Sequence, residues 1–455
     1  MSAFHLPHEG EKTKGGFAFS ESFIKGWELY MIKFTKKYND KLNETIYEGT
    51  NEFGLRVIVM PKKFTKSYAI IGTKYGSIDS SFNGIDVPDG IAHFLEHKLF
   101  EQPDGGNAFD EFSKMGANSN AFTSFNETAY LFSSTDNYDE NLRILLNFVY
   151  SPYFTDENVA KEQGIIGQEI KMYDDEPSWR AFFNMLGLLF KNHPVRKDIA
   201  GTIETISKIT PQTLNVCYST FYHPSNMVLV CVGDVTPERV EKVVSEELKK
   251  ANVSKSYRDI ERSFPSEPIG LAGKEILQKM GVGISLFMIG FKDRVSEISP
   301  EELQKERAIS EIAVDSVFGK TSEIYESLYD SGLINESFSF EFSGSLGYSY
   351  VCLGGEANRP KEIFDEIKAR ISAGLTVAKE DMERVKKGKI GEFYREFNDS
   401  ERLGHVMVLD SLAGINTMDY VGTLENVTFE EVQARVKQLF DEKKMVLSIV
   451  ENIDE

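Results

Sequence analysis

The chain has 455 residues, of which 41% are hydrophobic and 27% are charged, and its formal net charge is −20. This length favours two or more domains, and the composition is ordinary for a soluble globular protein. The acidic balance argues against binding to nucleic acid or to anionic membranes, because both require basic patches. No apolar run approaches the length that a membrane-spanning helix needs.

The three cysteines and the N-terminal segment indicate the compartment. Cys217, Cys231 and Cys352 lie apart in apolar or aromatic stretches, so we expect free, buried thiols, as in a reducing compartment. Residues 1–26 are polar and lack the apolar core of a secretory signal. We therefore predict a cytoplasmic protein.

Residues 46–251 are predicted to form a first domain, after an N-terminal extension and lead-in at 1–45. We assign no function to residues 1–30. Alternating apolar patterns predict strands, and helical patterns predict helices, one of which begins near Asp89 as a possible N-cap. The predicted strands lie within 46–75 and at 121–135 and 227–235, and the predicted helices lie at about 90–101, 107–116, 137–150, 155–173, 178–191, 210–220 and 236–250.

Residues 252–273 are polar, contain Pro and Gly, and are predicted to link to a second domain at 274–455. The second domain repeats the order of the first and ends on a similar Met-Val-Leu strand. We therefore predict an α+β fold, a tandem duplication of two domains in which a mostly antiparallel sheet packs against helices. The predicted strands of the second domain lie at 283–293, 336–355 and 445–450, and its main helices lie at about 300–318 and 378–398.

The segment HFLEH, at residues 93–97, is the sharpest chemical signal in the chain. His93 and His97 are four residues apart, so on a helix they lie on one face and can bind one zinc ion. Glu96 lies between them, where it can take a proton from an acidified water instead of binding the metal. The alternative is a helix with two incidental histidines, which is improbable because the chain has only seven.

A catalytic zinc site also needs a third protein ligand. The predicted helix at 155–173 offers Glu162 and Glu169, which lie two turns apart on one face. Glu169 is flanked by isoleucines, so a metal partner would remove the cost of burying its carboxylate. For Glu162, a solvated surface position and a supporting hydrogen bond to a ligand histidine both remain open.

These motifs resemble the pitrilysin family of zinc peptidases, peptidase family M16. The motifs that carry the resemblance are H-x-x-E-H followed by E-x6-E, together with NAFTSFNETAYLF, NHPVRKDIAGT and FYHPSNMVLVCVG. The resemblance extends over nearly the whole chain, from about Glu48 to Ile449. The resemblance implies one zinc ion per chain, with His93, His97 and Glu169 as ligands, Glu96 as general base and Glu162 in support. It also implies a metal-free second domain and a chamber formed by two facing subunits.

The resemblance further implies that a peptide substrate adds as a strand to an edge of the first sheet. The residues that match this edge are Asn120, Ala121, Phe122 and Thr123.

One expected feature of the family is missing. Its metal-free half normally supplies an Arg and a Tyr that bind substrate and stabilise the oxyanion. The matching positions fall on Leu328 or Tyr329 and on Asn335 or Glu336, none of which supplies the pair. We therefore expect a heterodimer with a sister subunit that lacks the zinc motif and provides Arg and Tyr, in preference to a homodimer.

Two functions other than a peptidase are compatible with a metal site in this chain. The chain could be a non-catalytic peptide-binding or scaffold subunit, although such relatives tend to lose the ligands that this chain keeps. The metal could instead only stabilise the fold, but structural zinc sites usually have four ligands, often cysteines. His193 and His223 each precede a proline, and we expect them to be loop or cap residues.

Overall fold

The computed structural model describes residues 32–103 and 105–453, so the predicted extension at 1–30 lies outside the described residues. The first half contains nine strands and eight helices within this range. The strands are β1 (Thr35–Asn39), β2 (Glu44–Thr50), β3 (Arg56–Pro61), β4 (Ser67–Thr73), β5 (Ser81–Phe82), β6 (Ile85–Asp86), β7 (Ala117–Thr123), β8 (Thr128–Ser134) and β9 (Met227–Gly233). The helices are α1 (Ile91–Leu99), α2 (Ala108–Lys114), α3 (Tyr138–Val149), α4 (Asp156–Asp174), α5 (Pro177–Leu189), α6 (Ile203–Ile206), α7 (Pro211–Phe221) and α8 (Pro237–Lys250).

The second half contains five strands and seven helices among the described residues. The strands are β10 (Glu275–Met280), β11 (Leu286–Lys292), β12 (Ser339–Gly344), β13 (Ser349–Glu356) and β14 (Met445–Asn452). The helices are α9 (Pro300–Phe318), α10 (Glu323–Asp330), α11 (Pro360–Ala373), α12 (Lys379–Glu396), α13 (Ser400–Leu412), α14 (Tyr420–Asn426) and α15 (Phe429–Leu439).

The two halves share one sheet topology. The first sheet has the order β1-β2-β3-β9-β4-β8-β7, and the second has the order β10-β14-β11-β13-β12. The β3–β9 and β10–β14 pairs are parallel, and every other pair in these two sheets is antiparallel. Five strands of each sheet therefore correspond one to one, which confirms the predicted duplication of a mostly antiparallel α+β unit.

The predicted lead-in adds to the first sheet. Strand β1 pairs with β2, in the register Thr35 to Glu48 through Asn39 to Glu44. The predicted linker also has a defined course, because Arg262 forms an isolated bridge with Phe82 and an ion pair of 2.8 Å with the buried Asp79. Residues 251–274 therefore pack against the first half although they contain no helix or longer strand.

Each half packs a helix on the other half's sheet. Helix α5 contacts β11 and β14, and helix α13 contacts β4 and β9. The contact requires glycine in both sheets, because a Cβ at Gly72 would lie 2.9 Å from Leu412, and a Cβ at Gly290 would lie 2.7 Å from Met185. This exchange joins the halves through their cores, since β9 and most of β14 are buried.

Two features of the fold position the chemistry. Helix α1 packs against both the edge strand β7 and the long helix α4. The H-x-x-E-H motif therefore faces carboxylates on α4 and the free edge of the first sheet.

No helix in the described part of the chain is long and apolar enough to span a bilayer.

Candidate metal centre

Helix α1 begins at a close contact between two backbone segments. Its N-cap is Gly90 with φ of 89°, and a Cβ there would lie 2.4 Å from the carbonyl oxygen of Ala200. The expectation that Asp89 caps this helix is wrong, because its carboxylate instead pairs with Lys197 at 2.8 Å. Glycine is required here since an L-residue is strained at positive φ and its side chain would meet Ala200.

Helix α4 carries the two predicted carboxylates. Thr155 and Asn158 form a reciprocal capping box that fixes where the helix starts. Glu162 and Glu169 lie farther along the helix, two turns apart, and face α1. Their side chains are 10% and 24% exposed, so both carboxylates are shielded but reachable from solvent.

The three predicted zinc ligands converge. Nε2 of His93 lies 3.6 Å from Oε1 of Glu169, and Nε2 of His97 lies 3.5 Å from Oε2 of Glu169. Two ligands that bind one tetrahedral zinc are about 3.4 Å apart, so these separations suit the ion. Across the described residues, these three form the one group of His, Cys, Asp or Glu side chains that could hold a metal.

The pKa values of the two histidines are shifted in opposite directions. Burial, with His97 nearby, lowers the pKa of His93 well below its usual value, so this imidazole is neutral and can act as a ligand. Burial also lowers the pKa of His97, but the hydrogen bond to Glu162 and the nearby carboxylates raise it overall. Within the described chain, no group hydrogen-bonds to the buried Nδ1 of His93.

Glu96 lies beside the three ligands and is only 8% exposed. Its Oε2 accepts a hydrogen bond of 2.6 Å from the hydroxyl of Thr123, at the end of the edge strand β7. Burial raises the pKa of Glu96 to about 7, against the opposing effect of this hydrogen bond. A carboxyl group with a pKa near neutrality can both take and return a proton.

Glu162 contacts His97, one of the predicted ligands, and is shielded from solvent. Its Oε1 lies 3.2 Å from Nδ1 of His97, and its Oε2 lies 3.8 Å from Nζ of Lys98. The Lys98 side chain is completely buried and also pairs with Glu101. An acceptor at Nδ1 keeps the proton on that nitrogen and leaves Nε2 of His97 free to bind a metal.

Lys98 and Tyr173 are two members of the site that sequence analysis missed. The Tyr173 hydroxyl donates a hydrogen bond of 2.7 Å to Oε1 of Glu169, one helical turn away. The i, i+4 spacing of Glu169 and Tyr173 could have indicated this contact. Lys98 gave no such signal, because a lysine beside a motif is usually on the surface.

The predicted substrate residues lie on the edge of the first sheet. Strand β7 pairs only with β8, so its other side is free among the described residues, and Asn120 is exposed. A cavity of about 430 Å³ lies between this strand and the two helices of the metal site. The residues that line it include Glu96, His97, Phe100, Phe109, Asn120, Ala121 and Ile165.

The second half carries no comparable centre at the equivalent place. Phe393 occupies the position on α12 that corresponds to Glu169, and it is buried in the hydrophobic core. The positions predicted to lack Arg and Tyr lie on α10 and in the loop before β12. Leu328 is buried, Tyr329 is exposed, and Asn335 bonds to the backbone of Ser337 and Glu356.

The remaining histidine and cysteine predictions are confirmed. His193 and His223 each accept a backbone N–H bond of 3.2 Å through Nδ1, from Val195 and Ser225, and so cap short 3-10 turns. The three free cysteines, at positions 217, 231 and 352, are buried.

Comparison with known proteins identifies the family. Residues 81–203 match the model described as insulinase (peptidase family M16), and residues 208–389 match that of the peptidase M16 inactive domain. The chain is 44% identical over 410 residues to the "Uncharacterized zinc protease YmfH" of Bacillus subtilis, covering 88% of this chain and 95% of that protein. It is 26% identical over 417 residues to the "Uncharacterized zinc protease ML0855" of Mycobacterium leprae, covering 86% and 88%.

Solved structures agree with this assignment. An M16-like peptidase from Alicyclobacillus acidocaldarius superposes with a TM-score of 0.82 at 34% identity, covering 92% of this chain and 98% of that one. Pitrilysin superposes with a TM-score of 0.69 at 13% identity, covering 93% of this chain and 47% of that one, which shows the fold alone. The shared topology, the two matched domains and the identity to full-length relatives together show that the chain belongs to peptidase family M16.

Proposed function

We propose that the chain is the zinc-bearing subunit of a metallopeptidase. The observation that carries the proposal is the convergence of two imidazole nitrogens and one carboxylate, with Glu96 beside them at a pKa of about 7. This donor set, with one zinc ion per chain, leaves a coordination position open. Both named relatives are zinc proteases in their descriptions, which supports the same chemistry here.

Different residues of the chain have different roles in the proposed hydrolysis of a peptide. Bound zinc supplies a Lewis acid and an acidified water. Glu96 takes a proton from the attacking water and returns it to the leaving amine, and Thr123 holds Glu96 in place. Glu162 keeps the proton of His97 on Nδ1, so that His97 faces the metal with its free nitrogen.

The free edge of β7 is the proposed substrate site. A peptide can add to it as a further strand, with backbone hydrogen bonds that do not depend on sequence. Asn120, Ala121, Phe122 and Thr123 would line this peptide, and the bond from Thr123 to Glu96 brings the strand to the catalytic carboxylate. The cavity beside Phe109 and Asn120 would take one side chain of the substrate.

We propose that full activity requires a sister subunit. The second half of this chain lacks the Arg and Tyr that would stabilise the oxyanion, and a missing donor of that kind costs about 10²–10³ in rate. A partner of similar size without H-x-x-E-H would supply both residues across a shared chamber.

We also propose a cytoplasmic location, since the three cysteines are free and buried.

The test measures zinc and cleavage separately. Purified chain should hold about one zinc, should cleave a quenched peptide slowly by itself, and should cleave it about 10²–10³-fold faster with its partner. Absence of zinc would refute the metal site, and full activity of the isolated chain would refute the heterodimer. Zinc binding without cleavage in any assembly would favour the alternative of a peptide-binding scaffold.

A further inference from the structure

We propose that Asp198, Trp179 and Tyr173 form a support that fixes the metal ligand Glu169, so that Tyr173 is a positioning residue of the metal centre. The proposal rests on the proposed zinc site and deepens it. The support connects the segment NHPVRKDIAGT, which has no part in the chemistry described above, to the ligand set.

Glu169 is the one carboxylate among the three predicted ligands, and its side chain is 24% exposed. Its neighbours on α4 include Ile165 and Met172, which are 48% and 69% exposed, so the surrounding surface is open. A glutamate in such a place loses rotamer entropy when it is fixed. The hydrogen bond from Tyr173 to Oε1 restricts its rotation before any metal binds.

Tyr173 is itself held by its ring. The ring stacks on the indole of Trp179, with centroids 4.7 Å apart and planes 16° apart. The indole Nε1–H donates a hydrogen bond of 2.6 Å to Oδ2 of Asp198, and Oδ1 of Asp198 accepts the backbone N–H of Ala200 at 3.1 Å. The phenol therefore cannot turn away from Glu169 without breaking a stacked and hydrogen-bonded pair.

The same segment also holds helix α1. A Cβ at Gly201 would lie 2.6 Å from the carbonyl oxygen of Asp89, and one at Gly90 would lie 2.4 Å from that of Ala200. Residues 198–201 thus contact the start of the helix that carries both histidines and, through Trp179 and Tyr173, the helix that carries Glu169. This loop therefore contributes, together with the direct packing of α1 on α4, to the distance between the histidines and Glu169.

The experiment compares zinc affinity, measured by competition with a chromogenic chelator, with kcat and KM of the assembled enzyme. Tyr173→Phe keeps the stacked ring and loses only the hydroxyl. We expect its zinc affinity to fall about 10-fold or more, as for other residues that orient a ligand, and KM to stay unchanged. Trp179→Phe should weaken zinc binding in the same direction but less, since Tyr173 keeps its hydroxyl.

Tyr394→Phe is the matched control, because Tyr394 lies on α12 in the second half and its hydroxyl donates a hydrogen bond of 3.3 Å to the backbone carbonyl of Lys41 instead of to a metal ligand. It should bind zinc as the unchanged protein does. Equal zinc affinity in Tyr173→Phe and Tyr394→Phe would overturn the proposal, whether or not kcat falls. Failure of the unchanged protein to bind zinc would instead refute the proposed function, so the two failures are distinguishable.

Discussion

The hydroxyl of Thr123 donates a hydrogen bond of 2.6 Å to Oε2 of Glu96, and so ties the edge strand β7 to the helix of the H-x-x-E-H motif. Thr123 is thereby part of the proposed peptide-binding edge and also contacts the proposed base, Glu96. A hydrogen bond to the charged form of a carboxyl group lowers its pKa, so this contact opposes the effect of burial on Glu96.

Replacing Thr123 by Val should move the pH profile of the enzyme. The variant loses the donor, so the pKa of Glu96 rises, and the base is deprotonated only at higher pH. We expect the rising acid limb of kcat/KM to shift up by about one pH unit. Thr135→Val, which changes a threonine outside the site, should leave the limb in place, and an unshifted limb in Thr123→Val would contradict the assignment.

Replacing Glu96 by Gln should separate metal binding from catalysis. The amide cannot take a proton from water, so kcat should fall by about 10²–10⁴-fold. Zinc content should stay at one per chain, because Glu96 is not among the three converging ligands. Glu157→Gln, at the exposed start of α4, is the control and should retain both zinc and activity.

Replacing Lys98 by Met should weaken both the fold and the metal site. Its ammonium group is fully buried between Glu101 and Glu162, and an apolar side chain leaves both carboxylates without their cation. We expect the free energy of unfolding in urea to fall by about 1–3 kcal/mol, together with zinc affinity. Lys208→Met removes an exposed pair with Glu204 and should leave the free energy of unfolding nearly unchanged, because solvent screens such pairs.

His193 should make stability fall in acid. Burial lowers its pKa to about 4, from an ordinary value near 6.5, so the folded protein favours the neutral ring. The stabilisation is complete above pH 6.5 and is lost as the pH falls towards 4, for a total of about 3 kcal/mol. His193→Asn should show a flatter dependence of unfolding free energy over this window. Equal slopes in the two proteins would contradict this origin.

The exchange of helices between the halves should be sensitive to one methyl group. Gly72→Ala places a Cβ 2.9 Å from a side-chain methyl of Leu412 and 3.0 Å from one of Val408, so these side chains on helix α13 must shift. We expect a loss of about 1–3 kcal/mol in unfolding free energy. Gly388→Ala, in an open place on helix α12, should instead stabilise by up to about 1 kcal/mol. Stabilisation by both changes would contradict the close packing.

Sequence spacing predicted the candidate ligands, and the family resemblance chose among them. His93 and His97 are one helical turn apart, and Glu162 and Glu169 are two turns apart, so local helix geometry aligns each pair without any knowledge of the fold. The repeated order of elements likewise predicted two α+β units, because hydrophobic period and chain order are local properties. The resemblance to family M16, drawn from the same motifs, is confirmed by the relatives.

Only the tertiary structure decided which side chains complete the centre. Thr123 reaches Glu96 across 27 positions, and Trp179 reaches Asp198 across 19, because α1, β7 and the loop before α6 meet in space. The burial of Lys98 also depends on neighbours distant in sequence, as does the position of the helix cap at Gly90 instead of Asp89. Such contacts follow from how layers pack, and packing sets partners that no local period or spacing encodes.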